Sequence, residues 1–158
     1  MVVQDSDQAW AAIADDDAAT RDPKMLARYN ELAALDSEDE RRARLKSMAT
    51  AEFALPDDKL RSFTLARMRT WIAMPKETAQ VIANSYGAVM QTMPATAAMK
   101  RVALVQTLVL EFTAEEEAQL RDLAPGAFAG APSRALGLDR PDEAETAVAK
   151  KKPFWKFW

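Results

Sequence analysis

Signals for the start of a helix recur in this sequence at an interval of nineteen residues. They are Pro56, Pro75 and Pro94, and the same step reaches Ser37 in one direction and Thr113 in the other. Proline is tolerated at the first helical position, because its missing N–H has no helical partner there. Ser37 and Thr113 each precede a glutamate by three residues, the pattern of a capping box. The spacing predicts helices over 37–54, 56–73, 75–92, 94–111 and 113–124.

Two further helices are predicted ahead of this series. One begins at Asp22 and Pro23 and runs to about Leu35, and a shorter one is expected around Ser6 to Ala14. No run of four or more residues alternates convincingly at period two, so no sheet is predicted. Helices of similar length joined by two or three residues run antiparallel. The sequence therefore predicts an all-α fold, an antiparallel bundle of six or seven helices with an extended C-terminal tail. A short stack of helical hairpins is the alternative.

Composition divides the chain into four parts. Residues 1–20 form an acidic N-terminal segment with a short helix, 21–124 the helical bundle, 125–149 a linker rich in proline, glycine and acidic residues, and 150–158 a basic-aromatic tail. The first ten residues do not have the pattern of a signal peptide. The longest uncharged run, 78–99, is too polar to span a membrane. A cytoplasmic protein is expected, with peripheral attachment to the inner face of the membrane as a variant.

Two neighbouring helices differ in their hydrophobic pattern. In the 75–92 helix, the apolar arc consists of Ala79, Ile82, Tyr86, Val89, Met90 and Met93, and the opposite face of Gln80, Asn84, Gly87 and Gln91. Because that polar face carries no charge, it is expected to contact another helix or a partner. The 94–111 helix is apolar apart from a strip formed by Lys100, Thr107 and Glu111, which predicts a central, enclosed helix. Met74, Met90, Met93 and Met99 are expected to fill the core, with an adaptable binding groove as the alternative.

Residues with catalytic chemistry are scarce. The chain contains neither cysteine nor histidine, which removes thiolate chemistry, the usual general base near neutral pH and the commonest metal ligand. It also lacks the glycine-rich motifs that cradle phosphates. The acidic runs at 15–17, 38–40 and 115–117 are expected to cap helices and face solvent. The chain is therefore predicted to be no enzyme and to hold neither a metal nor a cofactor.

Charge is segregated along the chain. Residues 1–40 hold eleven acidic and three basic side chains, whereas 41–76 hold three acidic and nine basic ones. The two segments are expected to pack together and neutralise each other. A nucleic-acid-binding regulator is a remote alternative, because binders of this kind usually carry a concentrated basic face and an overall basic charge. The residues that this alternative would use are Arg41, Arg42, Arg44, Lys46, Lys59, Arg61, Arg67 and Arg69.

The sequence KKKPFWKFW at 150–158 is the strongest indication of function. It holds four of the twelve aromatic residues in the chain. The predicted membrane- or partner-binding residues are Lys150, Lys151, Lys152, Phe154, Trp155, Lys156, Phe157 and Trp158. Tryptophan and phenylalanine favour the headgroup region of a bilayer, and lysines favour anionic lipid. Tryptophan is also a typical anchor in the pocket of a protein partner. The third alternative is that the tail folds back over its own bundle.

These features together predict a non-enzymatic helical accessory or scaffold subunit. Its basic-aromatic tail would tether it to an anionic membrane surface or to a membrane-associated complex. The alternative is a soluble adaptor or assembly factor whose tail docks in a pocket of a protein partner. The sequence leaves the partner and the oligomeric state open.

Overall fold

The computed structural model describes residues 8–129. Residues 8–12 are helical and lead into a 3₁₀ turn at Ile13–Asp15. The helices that follow are α1 (Ala18–Ala33), α2 (Glu38–Phe53), α3 (Asp57–Ala73), α4 (Lys76–Thr92), α5 (Ala95–Leu108), α6 (Ala114–Leu123) and the short α7 (Pro125–Phe128). A second 3₁₀ turn, Val109–Glu111, separates α5 from α6. No strand occurs in this part of the chain, and the predicted all-α bundle is confirmed.

The nineteen-residue spacing correctly predicts the starts of α2 to α6, but the prolines occupy a different position from the one predicted. Pro56, Pro75 and Pro94 are the N-cap residues, and the first helical residue follows each of them. Their backbone ψ angles of 149°, 136° and 150° are extended, not helical. Their carbonyl oxygens nevertheless accept the first helical hydrogen bonds, as from the N–H of Leu60 to Pro56. A residue before proline is held in an extended conformation, so Met74 also ends the preceding helix.

The predicted start of α1 at Asp22 and Pro23 is wrong. The helix begins at Ala18 and includes Pro23 in its interior. Asp17 caps it, because its carboxylate accepts a hydrogen bond of 2.8 Å from the N–H of Thr20. Hydrogen bonding from the side chain of Thr20, and then from its backbone N–H, lowers the pKa of Asp17. A short side chain that caps the helix five residues earlier thus determines where it begins.

The two predicted capping boxes differ in completeness. At α6, the Thr113 hydroxyl accepts from the N–H of Glu116, and the Glu116 carboxylate accepts from the N–H of Thr113. At α2, the Ser37 hydroxyl accepts from the N–H of Glu40, but the Glu40 carboxylate pairs with Arg44. An arginine one turn further along the helix therefore takes the carboxylate that the box would use.

The prediction that the helix at 94–111 is central and enclosed is wrong. The central helices are α3 and α4, which contact each other and each contact α1, α2, α5 and α6. In α5 only Ala97, Val105 and Leu108 are buried. Its inner side packs against α3, α4 and α7, and no described element covers its outer side. An apolar surface allows a helix to be enclosed, but the number of helices that pack around it depends on the fold of the whole chain. In this fold α5 lies at the edge of the bundle.

The apolar interior has two parts. The larger one lies among the segment 8–15 and α1 to α4, and it also includes Ala97 of α5 and Leu123 of α6. The smaller one lies among α3, α5, the second 3₁₀ turn, α6 and α7. Trp10 and Ile13 belong to the larger core, so the described part of the acidic N-terminal segment packs on the bundle. The predicted domain limit at 20/21 falls inside α1, and Phe128, in the predicted linker, is buried in the smaller core. These limits mark changes in composition along one packed unit.

Candidate partner-binding groove

The uncharged face of α4 has two roles. Near its start, the Gln80 amide donates hydrogen bonds to the Leu123 carbonyl oxygen (3.1 Å) and to Asn84 (2.8 Å). The bond to Leu123 holds the end of α6 against α4. Further along, Asn84, Gly87 and Gln91 line a groove. Contact with another helix is thus observed for one part of this face, and the other part is open.

The groove has a volume of about 590 Å³ and lies between α4, α5 and the segment that runs from the end of α6 through α7. Its lining from α4 and α5 includes Ala83, Asn84, Gly87, Ala88, Gln91, Ala98, Arg101 and Val102. Most of these side chains are small, and no aspartate or glutamate is among the lining residues. The result is a shallow, largely apolar channel beside a helix whose outer side is uncovered.

The outer side of α5 carries large apolar side chains. Met99 is 72% exposed and Val102 is 51% exposed. The two lie one helical turn apart, and Val102 is also part of the groove lining. Exposed apolar surface of this kind, next to a concave channel, is typical of interaction sites. Of the four methionines predicted to fill the core, Met74 and Met90 are buried, Met93 is partly buried and Met99 is exposed.

Arg101 is the charged group of the groove. Its guanidinium carbon lies 5.5 Å from the centre of the Tyr86 ring. Burial lowers the pKa of Arg101 from its ordinary value; Tyr86 opposes this shift, whereas Arg67 adds to it. Among residues 8–129, no carboxylate lies within ion-pair distance of Arg101. A partly desolvated cation therefore borders the channel without an internal counter-charge.

A second arginine, Arg67, also contacts the Tyr86 ring and lies inside the core. Arg67 is 3% exposed and pairs with Glu52, which is fully buried. Glu52 also accepts a hydrogen bond of 2.9 Å from the Trp10 indole and a longer one of 3.5 Å from the Tyr86 hydroxyl. Burial raises the pKa of Glu52, against the charge of Arg67 and these hydrogen bonds. The Arg67 guanidinium lies 4.6 Å from the Tyr86 ring centre, so Tyr86 connects the buried pair to Arg101.

Alkaline pH should unfold the protein as its tyrosines ionise. The chain has two, Tyr29 and Tyr86, and burial raises the pKa of both, with Glu52 adding to the shift. The folded state therefore keeps protons that the unfolded state loses. The contribution of the tyrosines to stability should be fully present below the ordinary tyrosine pKa of about 10 and should be lost above it. Absorbance at 295 nm and helical circular dichroism should change together on titration. A tyrosinate signal that appears while helicity is intact would contradict this.

The residues of the nucleic-acid alternative do not form a free basic face. Seven of the eight have partners inside the protein. The pairs are Arg41 with the Leu32 and Leu35 carbonyl oxygens, Arg42 with Glu38, Arg44 with Glu40, Lys59 with Asp15, Arg61 with Glu111, Arg67 with Glu52, and Arg69 with Glu116. The pair between Lys59 and Asp15 joins the acidic residues 1–40 to the basic residues 41–76, a contact of the kind predicted between them.

The predicted tail site, Lys150 to Trp158, lies outside the described residues and stays a prediction. Within 8–129, no helix is long and apolar enough to cross a membrane. The same residues contain no cluster of acidic side chains arranged to hold a metal ion. Comparison of the chain with known protein families, curated proteins and solved structures finds no match.

Sequence reasoning identified one wall of the groove and missed the rest. The lack of charge on the face from Gln80 to Gln91 marked it as a contact surface. Arg101 was not singled out, because nothing in its sequence neighbourhood distinguishes a paired arginine from an unpaired one. The buried pair was also missed, although Glu52 follows Leu45 and Met48 at helical spacing and so falls on the apolar side of α2.

Proposed function

We propose that this chain is a non-enzymatic helical scaffold or accessory subunit that binds a protein partner through the groove between α4, α5 and α7. The observation that carries this proposal is the uncovered apolar surface of α5, where Met99 and Val102 are exposed beside the groove. Such a surface in water is an aggregation liability unless a partner covers it. The chain has no histidine or cysteine, which also favours binding over catalysis as its role.

The basic-aromatic tail gives the proposal its second half. Residues 150–158 follow a segment rich in proline, glycine and acidic residues. Chains of that composition act as spacers between binding elements. With the tail on an anionic membrane surface, the bundle would present its groove to a partner near the membrane. The protein would then bring a partner and a membrane together.

Removing residues 150–158 should abolish binding to anionic vesicles and leave the bundle intact. Each lysine near anionic lipid contributes about 1 kcal/mol, so each Lys→Gln change among Lys150, Lys151 and Lys152 should weaken binding about fivefold. The measurement is flotation of the full chain with phosphatidylcholine vesicles, with and without phosphatidylserine, at low and high salt. Binding should need phosphatidylserine and fall as salt rises.

The matched control is a Trp155→Ala, Trp158→Ala variant that keeps every lysine. It should lose most of the binding at high salt, where apolar insertion is the remaining contribution. The melting temperature of the truncated chain should equal that of the full chain within a degree or so. Equal flotation of the truncated and full chains would overturn the membrane tether. A tail that is needed for a protein complex but not for vesicles would favour the soluble adaptor instead.

A further inference from the structure

The groove leaves two kinds of surface without a described neighbour, an apolar one and a charged one. Met99 and Val102 form the exposed apolar surface of α5, and Arg101, which lines the groove with Val102, contacts the Tyr86 ring. The protein as a whole carries a net charge of −3, yet the groove lining contains an arginine and no carboxylate. The groove is thus complementary to a segment that is apolar on one side and carries an acidic group.

Arg101 determines which acidic group suits the groove. A guanidinium presents a planar fork of N–H donors that matches a carboxylate in two parallel hydrogen bonds. The burial of Arg101 against Tyr86 has already removed part of its water, and no carboxylate among residues 8–129 replaces that water. An aspartate or glutamate from outside the bundle would restore the missing interaction in a partly dry environment, where such bonds are strongest.

Gly87 indicates how closely a partner can approach. It lies in the interior of α4, where glycine is less favourable than alanine. A Cβ atom added at Gly87 would meet no atom within 4 Å, so packing among the described residues does not require glycine there. Gly126, on the opposite wall, is equally open. A backbone that packs directly on α4 would explain the small side chains on both walls.

The secondary structure around the groove favours a helical partner. Two helices, α4 and α5, form its long walls, and the described chain has no strand edge that could accept an extended peptide. Segments that bind in such channels are amphipathic helices with anchors one turn apart. A second copy of the chain fits less well, because a two-fold interface would place Arg101 and its symmetry mate on one shared surface without a carboxylate.

We infer that the groove binds an amphipathic helix of a partner protein, which packs small or apolar side chains on Gly87 and Val102 and places one aspartate or glutamate against Arg101. This inference rests on the proposed function and specifies the chemistry of the partner. The charge of the ligand and the use of the groove are separable properties. Each can therefore be tested with its own variant.

The test is a selection of displayed helical peptides of about 15 residues, or about four turns, on the full chain. The Gly87→Leu variant is added in excess during the selection, as a competitor, to capture peptides that bind outside the groove. Its own groove is blocked, because the added side chain projects into it. Recovered peptides should carry an aspartate or glutamate beside an apolar face. Binding of one labelled peptide should weaken about tenfold or more on Arg101→Gln, which is the loss expected for a hydrogen-bonded ion pair. The peptide's own Glu→Gln change should weaken binding equally, and the two changes together should add nothing further.

Two controls keep the outcome readable. Arg42→Gln removes an exposed arginine of α2 that pairs with Glu38, and it should leave peptide binding unchanged. Gly87→Ala should raise the melting temperature by about 2 °C, since alanine fits and favours the helix. That result, with helical circular dichroism of Gly87→Leu like that of the natural chain, would show that the competitor is folded.

Different outcomes would contradict the two claims, that the groove is a binding site and that Arg101 recognises an acidic side chain. Suppose that the recovered peptides bind the natural chain and the Arg101→Gln variant with equal affinity but fail to bind Gly87→Leu. This result would overturn acidic recognition and leave the groove as a binding site. Peptides that bind Gly87→Leu equally well would overturn the groove itself. Tighter peptide binding after Asp139, Asp142, Glu143 and Glu145 are changed to their amides would show that the chain's own acidic segment is the occupant, which would also overturn the inference.

Discussion

Replacing Arg67 with methionine should lower the free energy of unfolding by about 3–5 kcal/mol, the usual cost of leaving one member of a buried ion pair alone. Arg67 and Glu52 are 3% and 0% exposed, so water cannot take the place of the lost partner. Glu52 would keep its hydrogen bond from Trp10 but lose its counter-charge. The measurement is urea unfolding followed by circular dichroism, with natural and variant chains compared at the same pH.

The double variant Glu52→Met, Arg67→Met separates the pair from its burial. Because both charges are then absent, much of the loss should be recovered. The Trp10 indole and the Tyr86 hydroxyl lose their acceptor, so a cost of about 1–3 kcal/mol should remain. The matched surface control is Arg61→Met, whose partner Glu111 is exposed and whose effect should stay below about 1 kcal/mol. If the double variant is as unstable as Arg67→Met alone, the stabilising contribution of Arg67 lies in its contacts with Tyr86 and Trp71.

The helix starts were predictable because their signals are local. A proline, serine or threonine determines the start of a helix through its own backbone angles and through bonds to residues three or four positions away. All the information needed lies within one turn. Pro23 shows where this reasoning fails, since a proline inside a helix resembles one at a helix start, and the capping bond of Asp17 decides between them.

The position of each helix in the bundle was not predictable in the same way. The apolar surface of α5 is larger than the area that its neighbouring helices cover. Hydrophobic periodicity indicates which side chains favour burial, but it does not indicate how many helices pack against them. The count of neighbours depends on how the chain folds back as a whole. The exposure of Met99 and Val102 is therefore a tertiary property, and the proposed binding surface depends on it.

The charges of the site depend on contacts between residues distant in sequence. Glu52 and Arg67 lie on different helices, and Arg101 lies on a third. The sequence shows all three as ordinary charged residues of helices. Only packing distinguishes the arginine that is neutralised in the core from the one that borders the groove with no carboxylate of residues 8–129 beside it. A binding role for Arg101 could therefore be argued only once both positions were known.

Replacing Trp10 with alanine should also lower the free energy of unfolding by about 3–5 kcal/mol, the usual cost of removing a large aromatic side chain from a core. Trp10 is 5% exposed. Its ring packs edge to face on Tyr29 and Phe63, with ring centres 5.5 and 5.3 Å away. Its indole N–H also donates to Glu52. The acidic segment that precedes α1 would lose its main anchor, and urea unfolding would register the loss.

Trp10→Phe is the matched variant, because it keeps an aromatic ring in the core and removes the indole donor to Glu52. Its loss should be about 1–3 kcal/mol, the range for a buried acceptor left without its donor. The difference between the two variants measures packing apart from hydrogen bonding. A loss below about 1 kcal/mol for Trp10→Ala would mean that the segment around Trp10 leaves the bundle at little cost. The larger core would then lack Trp10 and Ile13, and Glu52 would depend on Arg67 and Tyr86 for its partners.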